Sequence, residues 1–230
     1  MDIIVIIALL AVPAVFAVIV GSVLLIQAFR RPKLLPEEVA LACAWVFMVG
    51  SLVWLGAFLS NSILLGFGKP WTWLAAAHFA FAGFGAITVT SLSCRLVAQP
   101  FWLKVIRSIL FLHPLAYLVT AAGILGYPYC DELGAMCYET IFILQLLAVL
   151  LGSSDCVITG PGALLVLSLS VPVVTLIPAL AWAFENPLLD LGEMVRYHGM
   201  TNAIGHVGLG LLALSMIRPK SHSPVCHGLG

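Results

Sequence analysis

Long stretches of apolar residues without a single charge dominate this chain and decide what it can fold into. Ile3 to Gln27 and Ala163 to Phe184 are clear examples. At 1.5 Å per helical residue, each is long enough to cross a hydrocarbon core about 30 Å thick. A water-soluble fold could not cover itself with what remains: 62% of the 230 residues are hydrophobic and 9% are charged, where an average soluble domain has roughly a quarter charged. The expected fold is therefore an all-α polytopic membrane bundle. Reading the apolar blocks between Pro, Gly and charged punctuation gives seven transmembrane helices at 3–28, 38–60, 71–94, 105–126, 139–157, 162–184 and 197–217. The fifth has the least support, because its clean run is only Ile141 to Leu151, before Ser153, Ser154 and Asp155. It is open to a short, kinked or re-entrant reading.

The first block lacks a basic n-region, runs too long for a signal peptide and is followed by Arg30, Arg31 and Lys33, so it is expected to stay as a helix of the mature protein. Residues 1–217 read as a single seven-helix domain and 218–230 as a cytoplasmic tail, with no internal repeat and no long hydrophilic insertion. Glu185 to Arg196, the longest outer connection before the last helix, reads as a short surface helix.

Basic residues in short loops are retained on the cytoplasmic side. Eight of the ten fall on one side: Arg30, Arg31 and Lys33, then Arg95, Lys104 and Arg107, then Arg218 and Lys220, with Lys69 and Arg196 opposite. The expected orientation has the N-terminus outside and the C-terminus in the cytoplasm, in a multi-pass protein of a bacterial-type plasma membrane. Trp71 and Trp73 read as an interfacial anchor at the outer start of the third helix, and Trp102 as one inside. A net charge of zero gives no footprint for nucleic acid.

The cysteines form no metal pattern. Cys43, Cys94 and Cys156 read as small buried hydrophobes. Cys130 and Cys137 share the expected outer segment Tyr127 to Cys137, where an oxidising compartment favours a disulfide. The tail from Ser221 to His227 carries two histidines and a cysteine, a composition common in tails that bind nothing. No metal or cofactor is implied.

An ionisable side chain at membrane depth costs about 2.5–3.5 kcal/mol on insertion scales, so each needs a partner or a function. His78 lies seven residues past Trp71, about 10 Å along the third helix. His198, Asn202 and His206 recur every four residues and form one polar stripe on the seventh helix. Glu185 closes the sixth helix on the same side, Glu139 opens the fifth, and Gln145 lies further down it. His113, just before Pro114, reads as a histidine bonded to the carbonyl that the proline frees. Phe79, Phe81, Phe84, Trp54, Trp182 and Tyr197 surround the same depth, with Tyr138, Phe184, Trp45, Phe47 and Phe58; as a cavity wall their π-faces would favour a cation. Gly83, Gly85, Gly199, Gly205, Gly208 and Gly210 let the third and seventh helices approach closely.

The segments His78-Phe-Ala-Phe-Ala-Gly-Phe84 and Tyr197-His-Gly-Met-Thr-Asn-Ala-Ile-Gly-His206 resemble the YndJ-like family of multi-span membrane proteins. The matching positions are His78, Phe79, Ala82, Gly83 and Phe84, then His198, Gly199, Asn202, Ala203 and Gly205. The family pattern tends to carry an aromatic residue where this chain has His206, which adds a titratable group. The resemblance implies a transporter-like label without a mechanism. In architecture the chain also resembles the compact seven-helix membrane-bound terpene cyclases, which protonate an epoxide or alkene. The fungal type is associated with a glutamate in the second helix and an aspartate in the seventh; here Glu37 and Glu38 lie at the membrane edge.

Histidine is the side chain best suited to proton transfer near neutral pH, and a buried glutamate can serve as an acid. The first functional expectation is an integral-membrane enzyme using acid/base chemistry on a lipophilic, isoprenoid-derived substrate. Its catalytic set is His78, His198 and His206, with Asn202 orienting and Glu185 or Glu139 as acid. Phe79, Phe81, Phe84, Trp54, Trp182, Tyr197 and Gln145 would bind the substrate. The alternative is a proton-coupled or lipophilic-solute transporter, against which stands the lack of an inverted repeat. A retinal-binding receptor is excluded by the absence of a lysine from the seventh helix and from every span interior.

Overall fold

A computed structural model describes residues 3–153 and 160–221. The expectations for Cys156 and for the His222 to His227 portion of the tail fall outside them. Seven helices are long and apolar enough to cross a membrane, and no strand accompanies them among the described residues. In chain order they are α1 (Ile3–Phe29), α2 (Pro36–Leu59), α3 (Trp71–Cys94), α4 (Pro100–Ile124), α5 (Cys130–Gly152), α6 (Gly160–Ala183) and α7 (Leu191–Ile217). The multi-span expectation is thus met, and α3 has the bounds read from the sequence.

Three helices start five or more residues earlier than expected, the fourth at Pro100 and two by more. The fifth opens at Cys130, so its 23 residues reach about 34 Å, enough to span. Asp131 and Glu132 fill its first turn, where carboxylates complement the exposed N–H groups of a helix N-terminus. The expected outer loop is therefore mostly helix. Cys130 and Cys137 are free thiols, two helical turns and about 10 Å apart, beyond the ~7 Å Cα separation that a disulfide tolerates. The disulfide expectation is corrected accordingly. The seventh helix opens at Leu191 on a reciprocal cap: Asp190 Oδ1 accepts from the Glu193 N–H at 2.8 Å, and Glu193 Oε2 accepts from the Asp190 N–H at 3.0 Å. The expected surface helix is the first part of α7.

α3 and α7 are not uniformly α-helical. Phe79–Gly85 in α3 and Met194–Met200 and Asn202–Gly208 in α7 are π-helical, with hydrogen bonds reaching one residue further than in an α-helix. The two in α7 carry the polar stripe of His198, Asn202 and His206, and the one in α3 begins directly after His78. α3 is the most enclosed of the seven and α1 the least, riding on α2 at the edge of the bundle. The closest crossing is α4 on α5. A Cβ at Gly134 would meet the Thr120 backbone N at 2.8 Å, and one at Gly123 would strike the backbone of Asp131.

At the end of the bundle holding the first α2 turn, Glu37 is fully buried and Glu38 nearly so. Arg107 of α4 grips Glu37 with two bonds, 2.9 Å from Nε and 2.7 Å from a terminal nitrogen. Arg95 bonds Glu38 at 2.9 Å and Arg31 lies 3.4 Å from it. Ser221 donates to Glu38 at 2.8 Å and accepts from Arg31 at 2.6 Å. The Cys94 thiol lies against the Glu37 and Arg107 pair. Residues expected only at the membrane edge are instead the ionic clamp joining α2, α3, α4 and the start of the tail.

Candidate functional site

Polar side chains enter the bundle at two further depths. The first, called the outer group after the side on which the charge rule puts it, lies about 10–12 Å from the Trp71, Ala183 and Leu191 ends of α3, α6 and α7 by helical rise. His78, exposed on α3, points Nδ1 at the Leu74 carbonyl at 2.9 Å. His198, half-buried on α7, points Nδ1 at the Thr175 carbonyl of α6 at 2.8 Å. The two rings are near enough to sense each other's charge. Asn202 donates Nδ2 to the His198 carbonyl at 2.9 Å, while its Oδ1 is buried with no hydrogen-bond partner among the described residues.

The middle group lies about 16–22 Å down. His206 is 2% exposed and points Nδ1 at the Ser168 carbonyl at 3.1 Å. Its ring meets Phe142 edge-on at 5.1 Å, and His113 meets the same ring edge-on at 5.5 Å. Tyr138 stacks on Phe142 at 6.0 Å and also contacts His113. Gln145 Oε1 accepts from Thr90 at 3.1 Å. Five polar atoms here have no hydrogen-bond partner among the described residues: both nitrogens of His113, His206 Nε2, the Tyr138 hydroxyl and Gln145 Nε2. Each such group costs about 1–3 kcal/mol in an apolar interior.

The donor and acceptor roles follow from chemistry. A carbonyl oxygen only accepts, so Nδ1 carries the proton in His78, His198 and His206. In the neutral ring each Nε2 then holds a lone pair. Three histidines are thus held in the same tautomer, each by a backbone carbonyl, with the basic nitrogen left free.

His198 and Asn202 lie one turn apart on α7 with His78 of α3 at the same depth, and His206 continues the α7 stripe one level deeper toward Phe142. His113 departs from its expected role. The carbonyl freed by Pro114 does not bond it, and it joins His206 around Phe142. Glu139 is half-buried, with Oε2 unpartnered among the described residues. Glu185 is exposed at the end of α6 in a left-handed conformation, φ 56°. The aromatic set divides. Phe79 packs inward with Phe47 and Tyr117, at 6.0 and 5.0 Å, and Phe84 packs on Trp45 at 4.8 Å. Phe81, Trp182 and Tyr197 are on the bundle surface, and Trp54 is half-buried on α2. An open apolar groove of about 310 Å³ lies between α1 and α2, lined by Leu10, Ala14, Leu52 and Gly56 among others, and takes in none of the histidines.

A family model described as YndJ-like protein matches residues 3–206, a stretch that includes all four described histidines. The chain belongs to the YndJ-like family. No curated protein and no solved structure matches it. Within this YndJ-like chain, the two segments that carried the resemblance largely coincide with the π-helical parts of α3 and α7, which approach each other where Gly85 lies against Val207.

Proposed function

We propose that this YndJ-like protein is an integral-membrane enzyme that performs acid/base chemistry on a lipophilic substrate, an isoprenoid-derived one being the class to test. The observation that carries the reading is the outer pair. His78 and His198 each donate Nδ1–H to a carbonyl, so each offers Nε2 in a fixed direction, which is what a general base requires. His78 is exposed on the flank of the bundle at membrane depth, so a molecule dissolved in the bilayer reaches it sideways without crossing water.

The chemistry is an isomerisation or a cyclisation. One imidazolium Nε2–H protonates an epoxide oxygen or an alkene, the C–O or π bond opens, a new bond forms within the chain, and the second Nε2 removes a proton from the resulting cation. No other atoms enter or leave. Asn202 holds the His198 turn, and Glu139, half-buried with one oxygen unpartnered among the described residues, is the acid that resupplies the proton. Purified protein in lipid nanodiscs is given a linear polyprenyl alcohol or its terminal epoxide, and products are read by mass spectrometry. A new isomer of unchanged mass that is lost in His78→Ala and His198→Ala supports the reading. Turnover surviving both substitutions refutes the site.

A second reading, proton-coupled transport, is favoured by the continuation of titratable side chains below the outer pair, through His206 and His113 to Glu37 and Cys94. It predicts uptake into sealed vesicles that depends on a proton gradient and yields no new chemical species.

A further inference from the structure

His113, Tyr138, Gln145 and His206 converge from three helices, and every one is at least nine-tenths buried. They hold the five unpartnered polar atoms of the middle group. An apolar packing role does not explain them, since phenylalanine and leucine would fill the same volume without the cost of desolvation. Hydrogen bonds among themselves do not satisfy them either. The guest they call for has a definite chemistry. Gln145 Nε2 and the Tyr138 hydroxyl have protons to donate, whereas His206 Nε2 needs a donor because Nδ1 is committed to Ser168. A metal ion suits the imidazole lone pair but not the amide N–H groups. Water both accepts and donates, and buried water typically makes about three bonds to groups of this kind.

We propose that these four side chains form a hydrated site in the middle of the bundle, in which a short chain of water bridges His113 and His206. The two rings differ in a way that gives the bridge a direction. His206 is locked by Ser168, while neither nitrogen of His113 is tied, so His113 accepts or releases a proton at either nitrogen. The ring edges that flank it, Tyr138 and Phe142, leave its orientation unfixed by any hydrogen bond. Around the pair stand Tyr138 on α5 beside His113 with Tyr117 of α4 near it, Gln145 on α5 with Thr90 of α3 bonded to it, and the Ser168 carbonyl of α6 on His206. None of them is a carboxylate or an ammonium. The inference stands whether the outer pair catalyses or assists transport.

Water-edited solid-state NMR of protein labelled with ¹³C and ¹⁵N in its histidines and phenylalanines, in lipid bilayers, tests it directly. His113→Gln and His206→Gln spectra assign the two rings by loss of one signal each, and the measurement itself is made on the unaltered chain. Magnetisation transfer from water to both rings several times faster than to the Phe142 ring is the expected result, with Tyr138→Phe slowing transfer to His113. Transfer to both rings as slow as to the Phe142 ring would show a dry cluster and overturn the proposal. Transfer to only one ring would overturn the bridge.

Discussion

Replacing Arg107 by methionine removes both bonds to Glu37 and leaves a fully buried carboxylate without its cation. The partners lie 70 positions apart in the chain, so the pair fixes the start of α2 against α4. Breaking a buried pair from one side costs about 3–5 kcal/mol, mostly because the surviving charge is stranded. For a chain of this length that corresponds to a fall in Tm of about 6–20 °C. Glu37→Gln costs less, because Arg107 is 21% exposed and its guanidinium can turn toward water. The double variant Glu37→Gln with Arg107→Met leaves no stranded ion and recovers part of the loss seen in Arg107→Met alone. The assay is thermal unfolding in one detergent, followed by far-UV circular dichroism across the four proteins of the cycle. If Arg107→Met costs under about 1 kcal/mol, or if the double variant loses as much as the two single ones together, the clamp is not a coupled unit.

Arg95→Met should cost less than Arg107→Met in the same assay, since Glu38 retains Arg31 and Ser221. Gly134→Leu should weaken the α4 and α5 crossing by about 1–3 kcal/mol through overpacking against the Thr120 backbone, read as a lower Tm; an unchanged Tm would mean that the helices do not approach so closely. Without prior reduction, Cys130 and Cys137 should both react with maleimide once the protein is unfolded, and a mass two daltons short that reduction restores would contradict free thiols. A reporter active only in the cytoplasm, fused after Gly230, should be active if the basic residues orient the bundle as expected.

The sequence makes the bundle legible because Pro, Gly, charged and small polar residues punctuate the apolar runs, as Pro70 and Arg95 bracket α3. It misleads at α5, where a reading anchored on the apolar run beginning at Ile141 treats Cys-Asp-Glu-Leu as loop, although acidic residues suit a first helical turn. The α7 cap was also present as Asp190 and Glu193 at the right spacing. The stripe of His198, Asn202 and His206 is legible because spacing of four along one helix puts side chains on one face, and the matching depth of His78 follows from helical rise. Azimuth does not. Whether His113 faces Pro114's freed carbonyl or His206 depends on how α4 is rotated against α5 and α7, which no local pattern encodes. The same holds for Glu37 and Arg107: a carboxylate at a membrane edge and a guanidinium near the start of a distant helix declare a partnership only once α2, α3 and α4 are packed.

The π-helical turns also set how this family can change. Each widened turn holds one residue more than an α-helix would, so removing a single residue from 202–208 lets that part of α7 tighten without breaking it. Because the turn itself takes up the lost residue, the helix on either side keeps the face it had, whereas the same deletion in an α-helical stretch would swing everything beyond it by about 100°. His198 would still face Thr175, and the residues beyond the widened turn would still face the bundle. The widened turns are thus the places where α7 can lose a residue and keep its two ends in step.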